Sequence, residues 1–291
     1  MQPKVNVLER LHLRSIRISD IASQYWCEKQ MELKHLFAQK KNEYMKEGTL
    51  LHEALEEEVN IPVVMEPKTY ADSLYKSIYT SYLGLKEITK NRLTRELIIF
   101  GSLNGFKIVG KIDQLEYKDG KIIIEEDKTK AGDFIPEGVQ STPHKVQLIL
   151  YKKMLEDISH SKYTIENFRV AYGTKNLKLS EAFINQLDAM GIEKRLQDIE
   201  QIAGEYFKII SSLKISDTTK VRYINQFTRK EIGAQTFLYN EEEANEIIKF
   251  VLKYWNGERE AMPVPFEERW KCRYCQFFGK ECKIWYPQKV L

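Results

Sequence analysis

An acid and a lysine two residues apart, near the end of a predicted strand, form the first pattern in this chain that could do chemistry. In the segment IIIEEDKTK side chains alternate with period 2, so Glu126 and Lys128 share one face, whereas Glu125 and Asp127 point to the other. The preceding strand ends its apolar run in GKID, which offers Asp113 as a second carboxylate. Carboxylates on adjacent strands can share Mg²⁺ or Mn²⁺, which can activate water against a phosphodiester. The spacing therefore predicts a hydrolytic site in which Lys128 orients the water or offsets phosphate charge.

Three further side chains could complete such a site. His52 lies on a predicted N-terminal helix and could supply an imidazole ligand to the metal. Gln147 and Tyr151 stand at i and i+4 on the helix that follows the lysine, and therefore on one helix face. That face could meet a DNA strand or the catalytic lysine, or it could be an ordinary half-buried helix surface.

The four cysteines form one pattern, in which Cys27 stands alone and Cys272-x2-Cys275-x6-Cys282 follows near the other end. A C-x2-C pair brings two thiolates to one metal, and two more complete a four-ligand site for zinc or an iron–sulfur cluster. Spacing does not choose between these metals, and the alternative is that Cys27 is merely a small buried residue. Metal ligands far apart in sequence constrain the unfolded chain, so we expect metal loss to cost stability.

Composition sets the cellular context without naming a partner. The chain has 291 residues, of which 43% are hydrophobic, and 45 basic residues nearly balance 42 acidic ones. Such a balance does not by itself indicate nucleic acid. The sequence has no apolar stretch long enough for a membrane span and no signal-type N-terminal run. We therefore expect no membrane partner and an intracellular, cytoplasmic protein, in which cysteines are metal ligands or thiols rather than disulfides.

The first half of the chain reads as helices followed by a β-meander. Asp20 is expected to cap a helix over residues 21–41, and a second helix is expected over TLLHEALEEEV. Three strands follow between Arg95 and Lys128, with Asn-Gly and Asp-Gly turn dipeptides between them. A loop rich in Gly and Pro then leads into the helix HKVQLILYKKMLEDI. The predicted core order is therefore αβββα.

The second half is expected to alternate strands and helices. Apolar patterning predicts a strand in YTIENFRVAYGT, a long helix from about Ser180 to Leu213, strands in VRYINQF and AQTFLYN, and a helix over EEEANEIIKFVLKYW. The segment from Pro263 to Cys282 concentrates prolines, cysteines and aromatic residues, which favours a compact irregular knot. We expect one domain over 1–291, comprising the core (20–160), an additional α/β segment (160–260) and a cysteine segment (262–285).

The order of these motifs resembles a known superfamily. His52, then GKID at 110–113, EDK at 126–128 and Gln147-x3-Tyr151 are similar, in sequence order, to the motifs of RecB-type PD-(D/E)XK nucleases. The flanking cysteines resemble those of its iron–sulfur members, which include CRISPR-associated spacer-processing nucleases, the AddB nuclease domain and exonuclease V. The phrases DIASQYWCEKQMEL, VGKIDQLEY and VQLILYKKML look most like exonuclease V. The resemblance covers residues from about 20 to 160 and from 262 to 285.

The resemblance carries expectations for fold and site. It implies an α/β (α+β) restriction-endonuclease-like core, with a mixed sheet flanked by helices, a helical N-terminal part and a C-terminus fastened by an iron–sulfur cluster. Activity would be a Mg²⁺- or Mn²⁺-dependent single-stranded DNA exonuclease in DNA repair or processing. The implied roles are metal ligation by His52, Asp113 and Glu126, catalysis by Asp113, Glu126, Lys128, Gln147 and Tyr151, and a [4Fe-4S] cluster on Cys27, Cys272, Cys275 and Cys282.

Cations near these motifs are candidates for phosphate contacts. They are Lys111, Lys130, Lys145, Arg14 and Arg17. The expected partner is single-stranded DNA, with a single-strand-binding protein or another repair protein as a possible second partner. Two alternatives remain open at this point: a CRISPR-associated nuclease that trims spacer precursors, and a non-catalytic DNA-binding protein with a structural zinc.

Overall fold

The structure is a computed structural model that describes residues 6–39 and 64–284. Its described helices are α1 (Val7–Arg10), α2 (Ile18–Leu36), α3 (Tyr70–Asn91), α4 (Thr142–Ser159), α5 (Ile165–Tyr172), α6 (Glu181–Ala189), α7 (Ile199–Ser212) and α8 (Glu241–Trp255). Its described strands are β1 (Ile16–Arg17), β2 (Leu93–Leu103), β3 (Phe106–Lys118), β4 (Lys121–Lys130), β5 (Ile215–Asn225) and β6 (Glu231–Leu238). The predicted helix TLLHEALEEEV lies outside the described residues.

One six-stranded mixed sheet forms the centre of the molecule. Its strands run in the order β1-β3-β4-β5-β6, and β2 also pairs with β3. The pairs β2–β3, β3–β4 and β5–β6 are antiparallel, whereas β1–β3 and β4–β5 are parallel. Helices α3 and α4 pack against strands of the sheet, and α2, α7 and α8 pack against these two helices. The predicted mixed sheet flanked by helices is therefore confirmed.

The β-meander predicted from turn dipeptides is confirmed strand by strand. Asn104 and Gly105 have φ of 45° and 87°, and Asp119 and Gly120 have φ of 50° and 77°. Two successive residues with positive φ match the twist of a two-residue hairpin, and Asn-Gly or Asp-Gly tolerates that conformation best. The turns therefore set the register that brings Gln114 opposite Glu125.

Strands β3 and β4 separate before either strand ends. Their ladder runs from the pair Lys118↔Lys121 to the pair Gln114↔Glu125 and includes no later pair. On this same side β3 pairs with β1 only at Ile108 and Val109. The intervening residues 110–113 have no ladder partner there among the described strands, while β4 continues alongside β5. We call this place the fork, and it holds the predicted acids.

The segment YTIENFRVAYGT is a helix, so the predicted strand is wrong. Thr164 and Asn167 form a reciprocal capping box, and Gly173 ends the helix with φ of 63°. Phe168 is fully buried and packs against aromatic residues of neighbouring elements. Capping residues at both ends and an apolar spacing of three to four residues thus outweigh β-branched content.

The predicted long helix from Ser180 to Leu213 is two helices, α6 and α7. Gly191 has φ of 69° after α6 ends, and Asp198 caps α7 by accepting a hydrogen bond from the N–H of Gln201.

Asp20 does not cap α2 as predicted, because the helix begins two residues before it, at Ile18. The Asp20 carboxylate instead pairs with Arg17 and His35. Element type was predicted better than element boundaries.

One buried carboxylate joins α3 to the start of α6. Asp72 has no exposed surface and accepts hydrogen bonds from the N–H of Lys68 and Thr69 and from both N–H and Oγ of Ser180. Burial alone would raise the pKa of Asp72, but these hydrogen bonds outweigh it and lower the pKa below its ordinary value. The bonds hold segments 108 residues apart in sequence.

Across residues 6–39 and 64–284, none of the helices has the length and apolar character needed to cross a membrane.

Candidate active site

The two predicted acids, Asp113 and Glu126, meet at the fork. Each carboxylate accepts a backbone N–H of the opposite strand that has no partner in the β3–β4 ladder. Asp113 Oδ2 accepts the N–H of Asp127 at 3.0 Å, and Glu126 Oε1 accepts the N–H of Asp113 at 3.4 Å. Asp113 is 8% exposed and Glu126 fully buried. The strands thus part at the point where two carboxylates can satisfy their backbone N–H groups.

Lys128 completes the group from the same strand face as Glu126. Its Nζ lies 2.6 Å from Glu126 Oε2 and 3.7 Å from Asp113 Oδ2, and the side chain is 22% exposed. Burial alone would lower the pKa of Lys128, but Glu126 and Asp113 outweigh it and raise the pKa. The lysine therefore stays charged, with its ammonium between a buried acid pair and the accessible side of the site.

The single positive charge of Lys128 does not offset the cost of placing two carboxylates together in a buried site. Burial and the neighbouring Asp113 together outweigh Lys128 and raise the pKa of Glu126 to about 8. Two close carboxylates in a dry site favour either a shared proton or a bound cation. A hard divalent cation such as Mg²⁺ or Mn²⁺ prefers oxygen donors of this kind. Among residues 6–39 and 64–284, no third His, Cys, Asp or Glu joins the two carboxylates to complete a metal-holding group.

The other face of β4 is held rigidly by ion pairs. Asp127 binds Arg95 at 2.7 Å and Arg222 at 2.8 and 2.9 Å, and Glu125 accepts a hydrogen bond from Gln114 at 2.8 Å. Burial alone would raise the pKa of Asp127, but hydrogen bonds from the two arginines lower it. Alternation along the strand thus separates a structural ion network from the candidate catalytic face, as the period-2 pattern predicts.

Helix α4 covers the fork with the predicted Gln147 and Tyr151. Gln147 Nε2 donates to Tyr151 Oη at 3.0 Å, and Tyr151 Oη donates to the carbonyl of Lys111 at 2.6 Å. Burial raises the pKa of Tyr151, and the nearby negative charges of Glu126 and Asp113 raise it further. Tyr151 therefore fixes the backbone two residues before Asp113, and Gln147 fixes the hydroxyl.

A glycine in the GKID motif makes room for this tyrosine. A Cβ on Gly110 would lie 2.4 Å from Tyr151 Cε1 and 3.1 Å from Ile99 Cγ2, closer than packed atoms approach. The ring can therefore lie directly on the β3 backbone only because residue 110 has no side chain.

The remaining predicted site residues are placed as follows. His52 lies outside the described residues. Three of the five predicted DNA-binding cations form ion pairs: Lys111 with Glu96, Arg17 with Asp20, and Lys145 with Glu243. The other two lie over aromatic rings, Arg14 over Tyr70 at 4.7 Å and Lys130 over Phe134 at 5.6 Å.

Sequence reasoning missed two residues: His144, whose ring is near Lys128, and Phe134, which contacts Lys130. His144 follows the helix spacing of Gln147 and Tyr151, at i, i+3 and i+7, which was the available signal. Phe134, on the loop between β4 and α4, is 55% exposed, although large apolar side chains usually bury more of their surface. Nothing in the local sequence pattern distinguishes Phe134 from an ordinary loop residue.

The four cysteines line one cavity beside the middle of α2. The cavity contains about 350 Å³ of empty space, part of it open to solvent, and is also lined by Trp26, Leu33 and Phe278. Cys27 sits at a break in α2, where its φ of −168° and ψ of 108° are extended rather than helical. Cys272 and Cys275 are joined by a turn in which the N–H of Cys275 donates to the carbonyl of Cys272.

The cysteines converge, but the described residues form no group of three or more His, Cys, Asp or Glu that would hold a single metal ion. All four are free of disulfides. Burial raises the pKa of the Cys27 and Cys282 thiols. The N–H of Gln30 donates to Cys27 Sγ at 3.4 Å, an interaction that favours the thiolate. Four thiols around one space are the donor set of a four-ligand zinc site or an iron–sulfur cluster.

A buried polar network also joins the two ends of the chain near these cysteines. Glu28 accepts hydrogen bonds from both terminal nitrogens of Arg259 and, at 2.8 Å, from the N–H of Met262. Trp255 Nε1 donates to Gln24 Oε1 at 2.9 Å. We call these five residues the terminal network. It docks the segment preceding Cys272 onto α2.

Comparison with known proteins places the chain in a class of DNA-degrading enzymes. Its sequence matches the family described as "Exonuclease V - a 5' deoxyribonuclease" over residues 8–121, 116–208 and 200–286. The matched residues include both the fork and the cysteine segment. The chain belongs to the exonuclease V family.

Two relatives that match this chain are named exonuclease V. Exonuclease V of Danio rerio is 23% identical over 285 residues, which cover 93% of this chain and 70% of the relative. The mitochondrial exonuclease V of Candida tropicalis is 28% identical over 112 residues, but these are 38% of this chain and 18% of the relative. The crystal structure of SSO0001 aligns with 94% of this chain and 93% of its own, at 13% identity and a TM-score of 0.40.

Proposed function

We propose that this protein is a Mg²⁺- or Mn²⁺-dependent 5′ exonuclease that hydrolyses single-stranded DNA and carries a [4Fe-4S] cluster. The observation that carries the proposal is the fork, where Asp113, Glu126 and Lys128 converge within hydrogen-bonding or ion-pairing distance. The family assignment supports the deoxyribonuclease activity and its 5′ direction.

The residues of the fork divide the work of phosphodiester hydrolysis. Asp113 and Glu126 would hold the divalent ion, with His52 as a further predicted ligand, and the bound ion would supply an activated water and offset charge on the phosphate. Lys128 would place its ammonium against the developing negative charge on the phosphoryl oxygens. Tyr151 and Gln147 keep the strand that carries Asp113 in position.

An aromatic side chain and a cation beside the fork support single-stranded DNA as the substrate. Phe134 exposes 55% of its surface, and Lys130, two residues beyond Lys128 on the same face of β4, lies over its ring. Exposed aromatic rings stack on unpaired bases, and neighbouring cations bind the phosphates. A base in a duplex would have to leave its stack to use this ring.

The cysteine-lined cavity supports the cluster. Four ligands from both ends of the chain face one space, and they are all four cysteines of the sequence. The cluster would add a covalent connection to a docking arrangement that the terminal network already forms. We propose a structural role for it.

The hydrolytic site is tested by cleavage of 5′- and 3′-blocked single-stranded oligonucleotides with Mg²⁺ or Mn²⁺. Lys128→Ala and Glu126→Gln should remove cleavage while the protein keeps its fold and binds DNA. Asp188→Asn, at an exposed ion pair with Lys194, serves as the matched control and should cleave normally. Full cleavage by a purified Lys128→Ala protein would refute the assignment.

The metal at the cysteines is tested by iron, sulfide and zinc analysis of anaerobically purified protein. We expect iron and sulfide in the amounts of one [4Fe-4S] cluster, with visible absorption that disappears in Cys275→Ser. Stoichiometric zinc and a colourless protein would favour the structural-zinc alternative.

A further inference from the structure

His144 lies close enough to the candidate catalytic Lys128 for the charge of the lysine to act on its ring. It lies on α4 one turn before Gln147, and its Nδ1 is 3.2 Å from the hydroxyl of Tyr223 on β5. Tyr223 is the ladder partner of Lys128, so the side chains of these two residues lie next to each other on one sheet face. His144 is therefore held above the lysine by its hydrogen bond to Tyr223.

A series of hydrogen bonds runs from Pro136 through Gln235 and Tyr223 to His144, and it determines which atom donates at each step. The carbonyl of Pro136 can only accept, and Gln235 Nε2 donates to it at 2.8 Å. This orients the amide of Gln235 so that Oε1, which can only accept, lies 2.8 Å from the Tyr223 hydroxyl. Tyr223 must therefore donate its one proton to Gln235.

The remaining bond then determines the tautomer of His144. Since the Tyr223 proton is committed to Gln235, the Tyr223 oxygen can only accept from His144, which requires a proton on Nδ1. Burial lowers the pKa of His144 to about 3, and the charges of Lys128 and Lys130 add to the effect. The ring is therefore neutral at physiological pH, and Nε2 carries a lone pair.

We infer that His144 is a positioning residue whose Nε2 accepts a hydrogen bond from the water that attacks phosphorus beside Lys128. This inference rests on the proposed nuclease function. An imidazole of such low basicity does not retain a proton, so its role is to aim a lone pair of the water rather than to deprotonate it. Lys128 donates and His144 accepts, so that the two groups together orient a molecule that has both donors and acceptors.

The proton arrangement is tested without activity, by two-bond ¹H–¹⁵N correlation spectra of histidine-labelled protein at pH 6 to 8. His144, assigned by its absence in His144→Asn, should be neutral with the proton on Nδ1. Tyr223→Phe removes the constraint and should shift the ring toward the other tautomer. A wild-type ring protonated on Nε2 would overturn the inference.

The kinetic test uses two variants that each reproduce the hydrogen-bonding role of one ring nitrogen of His144. His144→Asn keeps a donor near Nδ1 and lacks an acceptor at Nε2, whereas His144→Gln places an amide oxygen near Nε2. We expect His144→Asn to lower kcat about 10- to 100-fold with little change in KM. His144→Gln should restore most of the rate. An unchanged kcat in His144→Asn, or equal losses in both variants, would overturn the positioning role.

Failure of this inference is distinguishable from failure of the nuclease function. If wild-type protein does not cleave single-stranded DNA while the spectra show the Nδ1–H tautomer, the proposed function fails and the role in catalysis fails with it. If wild type cleaves and the Lys128→Ala variant does not, the two His144 variants decide the inference alone.

Discussion

Arg259→Ala should destabilise the protein more than any change at an exposed ion pair. The substitution leaves the Glu28 carboxylate, whose side chain is 2% exposed, with its charge uncompensated. Removing one partner of a buried pair costs about 3–5 kcal/mol. For a domain of this size such a loss lowers Tm on the order of 10 °C. The N–H of Met262 still binds Glu28, which places the expected cost near the lower end of that range.

Thermal unfolding followed by circular dichroism, on metal-free protein, measures this directly. The double variant Glu28→Gln/Arg259→Met removes both charges and should recover much of the loss, because no buried charge remains unpaired. Lys194→Ala breaks the exposed pair with Asp188, which solvent screens, and should leave Tm close to that of the wild type. If Arg259→Ala has the Tm of the wild type, or if the double variant has a lower Tm than Arg259→Ala, the terminal network does not contribute the stability that we infer.

Gly110→Ala forces the α4 tyrosine off the β3 backbone and should cost about 1–3 kcal/mol in urea unfolding, whereas Gly204→Ala, in an open helix position, should be stabilising or neutral. An equal effect of both changes would contradict the packing argument. Phe134→Ala should weaken single-stranded DNA binding by about 1–3 kcal/mol in fluorescence anisotropy, while Val139→Ala on the same loop should not. Because the folded pKa of Asp72 is lowered, its stabilisation is complete above its unfolded pKa of about 3.9 and is lost as pH falls. The Tm difference between wild type and Asp72→Asn should therefore shrink on acidification from pH 6 to pH 3, and a constant difference would refute this.

Local sequence signals predicted the parts of the fold that local physics determines. The two turn dipeptides and the period-2 strands gave the meander, and the acid–lysine spacing put Glu126 and Lys128 on one face. The same reasoning failed for residues 163–174, where helix capping decides the structure and apolar content does not. Capping residues were visible in the sequence, so this error was avoidable.

The features that sequence reasoning missed depend on pairing across long separations. The fork exists because β4 stays paired with β5 after its ladder with β3 has ended, and no local pattern in either strand predicts where that ladder ends. Glu28 and Arg259 are 231 residues apart and read separately as ordinary surface charges. Tyr223 and Gln235 fall in the stretch that matched no motif, so the proton arrangement at His144 had no sequence signal.

The position of Cys27 near one end of the chain and its three companions near the other has a consequence for biosynthesis. Cys272 follows Cys27 by 245 residues, and the ribosome needs roughly 10–50 s to add them at about 5–20 residues per second. During that interval Gln24 and Glu28 lack their partners, and no four-thiolate site exists. Insertion of the proposed cluster must therefore wait until Cys282 has been synthesised, and a nascent chain stalled before residue 272 would hold Cys27 without its three companion thiols.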